Sequence, residues 1–392
     1  MLAGLKMILY SFTYLLNSIG FFMRTNNRKK ILYFTVFLLV FISGTRYYLG
    51  GSDVYVYENV YNTSPSIDVV LRYIFTGENV GVNTNYEVGF IFICSLLKTL
   101  RFSYFGFILM FTMFFYALII LGLKRFVPNW SIFIATFMYK IMFYNTFISI
   151  RQGFTLAIFC YSLQFIVDKK IFKYFITCMI AFFIHRGALL LFPLYFLQYI
   201  NISRNFYIYY SLLLLPTKLI ANKVNIGPIL DKIIDIFGFS SKSDGWTEVT
   251  EPISIIHTIE CYLIVLLIIF FFNKILSYKK SKEAKLILQL FLVVIPIFTL
   301  FSEWIVMTRL KDYFVIFYGL IFGYILDGGT TQILSKSKNI KKELSGIMNY
   351  KIISLVILLC CFIGMIRYVL VFDGGHLMQF ESFIFKGESI FY

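Results

Sequence analysis

The chain has 392 residues, of which 59% are hydrophobic, 20% aromatic and only 14% charged. Apolar runs recur along its whole length, and this composition excludes an ordinary soluble domain. The formal net charge of +16 does not indicate nucleic acid binding, because the basic residues lie in short connections and form no groove with interleaved aromatic residues.

Each apolar run reaches about 20 residues with its flanks, which is the length that a helix needs to cross a hydrocarbon core. Backbone groups in lipid must be hydrogen-bonded within their own segment, so these runs are predicted to be helices. We therefore predict an all-α polytopic integral membrane protein, a single transmembrane domain over residues 1–392, with about 11–13 transmembrane helices. The predicted helices span residues 2–22, 30–45, 88–100, 105–121, 132–147, 153–167, 172–184, 188–200, 206–215, 253–272, 286–301, 309–326 and 352–372.

Three connections are longer than the others. Residues 46–86 and 217–252 are predicted to be external loops, and residues 329–351 a basic cytoplasmic loop. Within the first external loop, the apolar patch at residues 71–75 predicts an interfacial helix on the membrane surface. The first apolar segment is followed, not preceded, by basic residues, which favours a transmembrane helix over a cleaved signal peptide.

The basic residues set the predicted orientation. They concentrate in four short segments, at residues 24–30, 169–173, 274–285 and 336–342. By the positive-inside rule these segments lie in the cytoplasm and the long loops outside. Four full crossings between loop 46–86 and the turn at Asp168 would put that turn on the wrong side, so one segment must not span. Val88–Leu100 has only about 13 residues and is predicted to be a re-entrant or surface helix.

Charges at membrane depth cost roughly 2.5–3.5 kcal/mol each at a helix centre and are therefore candidates for function. Arg46 follows the second predicted helix and precedes Gly50, Gly51 and Asp53. The two glycines allow a tight backbone turn close to a ligand. Arg46 is predicted to contact an anion, and Asp53 to bind or deprotonate a sugar hydroxyl. The alternative is a salt bridge that ties the loop to the helix.

Further candidates lie at predicted outer helix ends. Arg151 and Gln152 stand where one helix stops and another begins, and a guanidinium that stays protonated and binds phosphate bidentately suits a diphosphate. His185, in an apolar hairpin, is predicted to be a base or a substrate contact, because imidazole titrates near neutral pH. Glu87 is either a helix-terminal carboxylate stabilised by the dipole or an acceptor contact. Arg309 begins a later helix, where pairing to an acidic residue one turn on is the alternative.

The order of these landmarks resembles the EpsG family of Wzy-type polysaccharide polymerases, over roughly residues 40–320. The residues that carry the resemblance are Arg46, Gly51, Asp53, Tyr57, Tyr61, Glu87, Arg151, Gln152, His185, Arg309 and Tyr313. It implies a multi-pass enzyme of the bacterial cytoplasmic (inner) membrane whose active site faces the periplasm or cell exterior, and it is compatible with a GT-C-like arrangement of helices. The implied activity is a glycosyltransferase that joins undecaprenyl-diphosphate-linked oligosaccharides, as donor and acceptor, into O-antigen or a similar surface polysaccharide.

The resemblance also implies roles for single residues. The expected substrate contacts are Arg46, Arg151, Arg309, Glu87 and Gln152. His185 is the preferred base and Asp53 the alternative. A diphosphate leaving group is already weakly basic, so fixed positive charge is sufficient and neither a metal nor another cofactor is expected. The expected partners are the lipid-linked oligosaccharides, the bilayer and a chain-length regulator, with no nucleic acid.

Other functions remain open at this point. A lipid-linked oligosaccharide flippase or transporter would also need arginines, but it would line a central path with charge in both halves of the membrane and often has repeated halves. An O-antigen ligase would use a similar donor with a different acceptor. An acyltransferase or a polyprenyl-phosphate-dependent sugar transferase is a third alternative. The predicted location of the candidate residues on one side favours the polymerase.

Overall fold

Helices form the framework of the computed structural model, which confirms the all-α prediction. The structure describes residues 2–23, 25–79, 81–223, 232, 252–278, 281–336 and 340–392. Backbone contacts divide the chain into two compact units, of which unit 1 comprises Met1–Phe192 with Ser337–Tyr392 and unit 2 comprises Pro193–Lys336. The single domain expected from the sequence stays a prediction.

The α-helices range in length from 4 residues to 32 residues. The first are α1 (Leu2–Phe22), α2 (Thr25–Gly44), α3 (Asp53–Thr63), α4 (Ile67–Thr76), α5 (Val88–Thr99), α6 (Tyr104–Leu123), α7 (Trp130–Phe137), α8 (Ile150–Val167) and α9 (Ile171–Ile184). These are followed by α10 (Arg204–Leu214), α11 (Ile255–Leu276), α12 (Ser281–Phe291), α13 (Val294–Phe298), α14 (Ile305–Leu310), α15 (Asp312–Val315), α16 (Phe317–Lys336) and α17 (Ile340–Val371). A π-helix over Met138–Ile148 continues α7, and 3-10 helices cover Arg186–Tyr199, Leu215–Lys223, Phe372–Met378 and Phe383–Lys386.

Several of these helices are apolar enough to cross a membrane, which makes this a multi-pass integral membrane protein. Five are also long enough, namely Tyr104–Leu123, Trp130–Ile148, Ile150–Val167, Ile255–Leu276 and Tyr350–Val371. Shorter apolar helices cover Met7–Phe22, Val88–Thr99, Ile171–Ile184 and Asp312–Leu326. Over the described ranges these are fewer than the predicted total of about 11–13. Two of the predicted helices, 188–200 and 286–301, are interrupted by 3-10 turns and helix breaks.

Contacts at the helix ends show that α5 does not cross unit 1. Arg125 after α6 and Asp168 after α8 form an ion pair, with Nη1 2.5 Å from Oδ1. Because α6 and α8 also pack along each other, they run parallel and begin at the same end, which we call the site end of unit 1. Glu87, just before α5, contacts Arg151 at the start of α8, while α5 leads directly into the Ser103 cap of α6. Both ends of α5 therefore lie at the site end, as the charge pattern predicted.

The first predicted external loop contains two helices. α3 and α4 pack against α5, and the Tyr57 and Tyr61 side chains of α3 are buried in the apolar core there. The Tyr61 hydroxyl donates to the Phe102 carbonyl at 2.7 Å. The helix predicted at residues 71–75 is confirmed as part of α4, which buries Val70 and exposes Leu71, Ile74 and Phe75. Its position on a membrane surface stays a prediction.

The turn between α2 and α3 folds onto the end of the π-helix. Gly50 has a φ of 140°, and a Cβ at this position would lie 2.1 Å from the Phe147 carbonyl oxygen, so only glycine fits. Arg46 closes the same turn, because its Nε donates to the Leu49 carbonyl at 3.1 Å and its Nη1 donates to the Ser43 carbonyl. The close approach that the glycine pair predicted is therefore made to the protein's own backbone.

The end of the chain returns to the site end, although its sequence contains no motif. We call residues 381–392 the C-terminal strap. Its antiparallel bridges join Arg46 to Ser382 and Phe102 to Phe391. Backbone hydrogen bonds of 2.8–2.9 Å accompany both bridges. Phe383 of the strap is fully buried and stacks on Phe105 of α6, with ring centroids 5.0 Å apart.

The other two predicted loops have different outcomes. Most of loop 217–252 lies outside the described residues, and its first residues form a 3-10 helix. Residues 329–351 are helical where they are described, because α16 continues to Lys336 and α17 begins at Ile340. Apolar runs mark the membrane-length part of a helix, but a helix can continue through polar residues with adequate helix propensity.

Candidate functional site

A carboxylate, a guanidinium and an imidazole meet at the site end of unit 1. Glu87 Oε2 lies 2.5 Å from Arg151 Nη1, and Glu87 Oε1 lies 3.5 Å from His185 Nδ1. The backbone N–H of Arg186 also donates to Glu87 Oε1, at 3.1 Å. Three segments that are distant in sequence thus converge on one carboxylate. We call Glu87, Arg151 and His185 the Glu87 cluster.

The local backbone places each member of this cluster at a helix terminus. Glu87 is the N-cap of α5, in an extended conformation, and its side chain makes no capping hydrogen bond to its own helix. Arg151 lies in the first turn of α8, directly after the corner at Ser149 where the π-helix ends. His185 is the C-cap of α9, and its extended backbone ends that helix. Helix ends present side chains that a continuous bundle would bury among apolar neighbours.

Aromatic rings surround the Arg151 guanidinium. Its Cζ lies 5.0 Å from the ring centroid of Tyr86, 5.6 Å from that of Phe90 and 5.8 Å from that of Tyr57. These distances are within the range of cation–π attraction. Tyr57 was singled out through the family resemblance, whereas Tyr86 and Phe90 were missed. The sequence feature that could have identified them is their position, because Tyr86 directly precedes Glu87 and Phe90 follows it by about one helical turn.

Burial and charge have opposite effects on Glu87. Burial alone would raise the pKa of this carboxyl group, but the neighbouring His185, the charge of Arg151 and the N–H of Arg186 lower the pKa to about 2. Glu87 is therefore ionised at neutral pH and can stabilise a protonated imidazole beside it. The side chains remain partly accessible, with exposed fractions of 21% for Arg151, 11% for His185 and 10% for Glu87.

Arg46 lies at the same end but outside the Glu87 cluster. It is 4% exposed, and its guanidinium lies 5.1 Å from the centroid of the Phe147 ring. With Ile150 and other residues it lines a cavity of about 10 Å³, which admits about one water molecule. The described residues show no ion pair between Arg46 and Asp53, so the salt bridge considered from the sequence is not formed. Arg46 closes a turn, and its contact with an anionic substrate stays a prediction.

Asp53 and Gln152 flank the cluster in different ways. Asp53 is the half-buried first residue of α3, a position at which the helix dipole favours a carboxylate. Gln152 is 1% exposed and follows Arg151 directly, with its Oε1 3.5 Å from Ser149 Oγ. Gln152 therefore belongs to the corner that carries Arg151. The substrate roles of both residues stay predictions.

Arg309 belongs to unit 2, where it is an exposed residue in the last turn of α14. Its role as a diphosphate contact stays a prediction. Unit 2 also contains a lysine that the sequence patterns did not reveal. Lys218 Nζ donates to the Ile253 carbonyl at 2.9 Å and to Ser302 Oγ at 2.7 Å, and it lies 3.5 Å from Glu303 Oε1.

Comparison with known proteins identifies the family. The model of the EpsG family matches residues 29–372, a range that contains the Glu87 cluster and the other candidate residues, from Arg46 to Arg309. No curated protein and no solved structure matches the chain. Because the family model covers most of the sequence, this multi-pass membrane protein belongs to the EpsG family, which is associated with polysaccharide synthesis.

Proposed function

We propose that this protein is a glycosyltransferase that polymerises undecaprenyl-diphosphate-linked oligosaccharide repeats into O-antigen or a similar surface polysaccharide. The reaction would take place at the outer face of the bacterial cytoplasmic membrane. The observation that carries the proposal is the Glu87 cluster itself, which sets a cation for the leaving group beside a group that can accept a proton. Family membership supports the pathway.

The chemistry needs few groups. The acceptor hydroxyl oxygen forms a bond to the anomeric carbon of the donor, and the bond from that carbon to the diphosphate oxygen breaks with its electron pair. The hydroxyl proton passes to the imidazole of His185, with the carboxylate of Asp53 as the alternative base. The departing diphosphate is stabilised by fixed positive charge, so the step requires neither a general acid nor a metal ion.

Arg151 is the best supported contact for the diphosphate. A guanidinium has five N–H donors and binds phosphate oxygens in a bidentate manner. One nitrogen of the Arg151 guanidinium, Nη1, donates a hydrogen bond to Glu87. Its buried Nε has no hydrogen-bond partner within the described part of the chain. Arg151 therefore retains donors after its ion pair is made. Arg46, Arg309 and Gln152 are proposed as further contacts.

Tyrosines at the site end of unit 1 are proposed to provide surfaces for sugar rings. Tyr48 and Tyr55 stack with ring centroids 5.2 Å apart, and Tyr55 is 59% exposed at the start of α3. Tyr86 borders Arg151 itself. An oligosaccharide has apolar ring faces that pack on aromatic side chains, so these residues are proposed to bind the repeat unit next to the reacting bond.

The polymer made by cells tests this proposal. A strain that lacks the protein is complemented with wild type, Arg151→Ala or His185→Ala, and the surface glycan is resolved by length. We expect a ladder from the wild type and only single-repeat material from the two variants. Arg125→Ala is the control, because Arg125 forms its ion pair at the opposite end of unit 1, and it should retain the ladder.

The outcomes separate the proposed function from its rivals. Wild-type ladders from both variants, at normal protein levels, would contradict the assignment of Arg151 and His185. Loss of all surface glycan in the strain without the protein, including single repeats, would indicate a flippase or a ligase instead. Polymerisation by the purified protein in liposomes that contain only lipid-linked repeats would exclude a transporter.

A further inference from the structure

We propose that Glu87 is a positioning residue, which holds the base His185 and the diphosphate contact Arg151 in one fixed arrangement, and is not a contact for the acceptor sugar. This inference rests on the proposed function. It assigns to Glu87 a role different from the substrate contact that the sequence suggested. Three observations support it, and each concerns the interactions of the Glu87 carboxylate oxygens.

First, both carboxylate oxygens of Glu87 already accept hydrogen bonds from the protein. Oε2 accepts from Arg151 Nη1 at 2.5 Å, and Oε1 accepts from the Arg186 N–H at 3.1 Å. Oε1 also faces His185 Nδ1 at 3.5 Å. Because the Glu87 side chain is only 10% exposed, little of its carboxylate is left to bind a sugar hydroxyl.

Second, the contact with Glu87 is on the Nδ1 side of the imidazole. A carboxylate at Nδ1 favours the tautomer with the proton on Nδ1, which leaves the lone pair on Nε2. The acceptor proton would then go to Nε2, and the imidazolium that forms would be stabilised by the ionised Glu87. The Nε2 side of His185 adjoins Gly187, where a Cβ would lie 3.1 Å from this nitrogen. Glycine at position 187 thus leaves space at the proton-accepting atom.

Third, the same carboxylate fixes Arg151 relative to the base. Arg151 comes from α8, His185 from the end of α9 and Glu87 from the start of α5, and the carboxylate of Glu87 is a partner that the other two side chains share. A general base and a phosphate contact are effective only when they are held in register with the reacting atoms. Glu87 fixes Arg151 and His185 relative to each other, because its side chain interacts with both of them.

The charged and titratable groups around the Glu87 cluster come from several elements. They are Arg186 next to His185, Tyr57 and Tyr86, which border Arg151, and Asp53, one turn before Tyr57 on α3. Glu87 is the carboxylate that contacts the imidazole. Its removal should therefore lower the pKa of His185 and move the acid limb of the rate profile to lower pH.

The histidine count of the chain permits a test that does not depend on activity. The protein has three histidines, so His257→Gln combined with His376→Gln leaves His185 as the sole histidine signal. Nitrogen chemical shifts of isotope-labelled histidine, followed against pH in detergent, give its tautomer and its pKa. We expect the Nδ1–H tautomer in this background, and a pKa lower by about one pH unit or more when Glu87→Gln is added. An unchanged tautomer and pKa would overturn the proposal.

Turnover of lipid-linked repeats by the same proteins completes the test. Glu87→Gln should reduce kcat about tenfold to a hundredfold, with a smaller change in KM for the acceptor, and should move the acid limb to lower pH. Glu87→Asp keeps the charge and guards against misfolding of the glutamine variant. It should retain the wild-type position of that limb at a reduced rate. A rise in acceptor KM alone would show that Glu87 binds substrate and would overturn the proposal.

The two hypotheses can fail separately. If the histidine signals respond to Glu87→Gln as expected but the wild type makes no polymer in liposomes, the positioning contact stands and the proposed function is wrong. The opposite outcome is that the wild type polymerises and His185→Ala does not, but Glu87→Gln changes neither the histidine signals nor the acid limb of the rate profile. In that case the function stands and the positioning role is wrong.

Discussion

Glu87 and Arg151 are 64 residues apart in sequence, yet their Oε2 and Nη1 atoms lie 2.5 Å apart at the site end of unit 1. The ion pair joins α5, both ends of which lie at the site end, to α8, which runs the length of unit 1. Because both side chains are largely buried, loss of one partner would leave the other as an uncompensated charge. The pair therefore ties the segment that precedes α5 to the start of α8.

Replacement of Arg151 by lysine should show that geometry matters as well as charge. Lysine keeps the cation but loses the planar fork, the bidentate bonds and much of the stacking on Tyr86 and Phe90. We expect polymerisation to fall about tenfold to a hundredfold in Arg151→Lys, measured as turnover of lipid-linked repeats. Arg125→Lys at the opposite end should change the rate less than twofold. Equal rates for wild type and Arg151→Lys would mean that a point charge is sufficient.

Stability should fall in acid because of Glu87. Its pKa is about 2 in the folded protein against an ordinary value of 4.5, so its contribution is complete above pH 4.5 and is lost as the pH falls toward 2. The contribution is on the order of 3 kcal/mol. The melting temperature in detergent should drop more steeply from pH 6 to pH 3 for the wild type than for Glu87→Gln. The exposed Glu78 gives the control, since Glu78→Gln should follow the wild type.

Gly187→Ala should impair the reaction without unfolding the protein. A Cβ at this position lies 3.1 Å from His185 Nε2, which is close enough to crowd an acceptor hydroxyl but requires only a small shift of the imidazole. We expect a decrease in kcat of about tenfold, because misplacement of a base by a fraction of an ångström weakens proton transfer. Wild-type turnover with an unchanged melting temperature would place the proton acceptor elsewhere and favour Asp53.

The turn at Gly50 should tolerate no side chain. Gly50→Ala would place a Cβ 2.1 Å from the Phe147 carbonyl oxygen at a φ of 140°, so the turn must move away from the π-helix. Gly77 has a φ of 75° and nothing near its Cβ position, so Gly77→Ala isolates the backbone strain, which is about 1–2 kcal/mol. Unfolding in detergent should show a clearly larger loss for Gly50→Ala. Similar losses for both would mean that the turn at Gly50 can relax.

The C-terminal strap should be required for the stability of the site end. Phe383→Ala removes a fully buried ring against Phe105 and should cost about 3–5 kcal/mol. Phe385 is two residues further on and 81% exposed, so Phe385→Ala should change the stability by less than about 1 kcal/mol. Thermal unfolding of the two variants measures the difference. If Phe383→Ala is as stable as Phe385→Ala, the strap does not contribute to the fold.

Part of the candidate site could be read directly from the residues. Arg151 and His185 stood out because charged or titratable groups are costly in apolar surroundings, and they do meet at one end of unit 1. Glu87 was recognised as a candidate, but its link to both residues was not visible, since sequence spacing does not report contacts between helices. Arg46 attracted attention for the same reason as Arg151, yet its donors bind carbonyls of its own turn.

Composition and periodicity by themselves determined the class of this protein. Apolar runs of membrane length dictate helices, because lipid offers no partners for backbone groups. The number of crossings between loop 46–86 and the turn at Asp168 required one segment that does not cross, and the short Val88–Leu100 was selected. Only the tertiary structure decided that Glu87 joins Arg151 to His185, and that residues 381–392 pair with the chain near Arg46 and Phe102. Such contacts depend on the packing of distant helix ends, and hydrophobicity, which acts without direction, does not encode them.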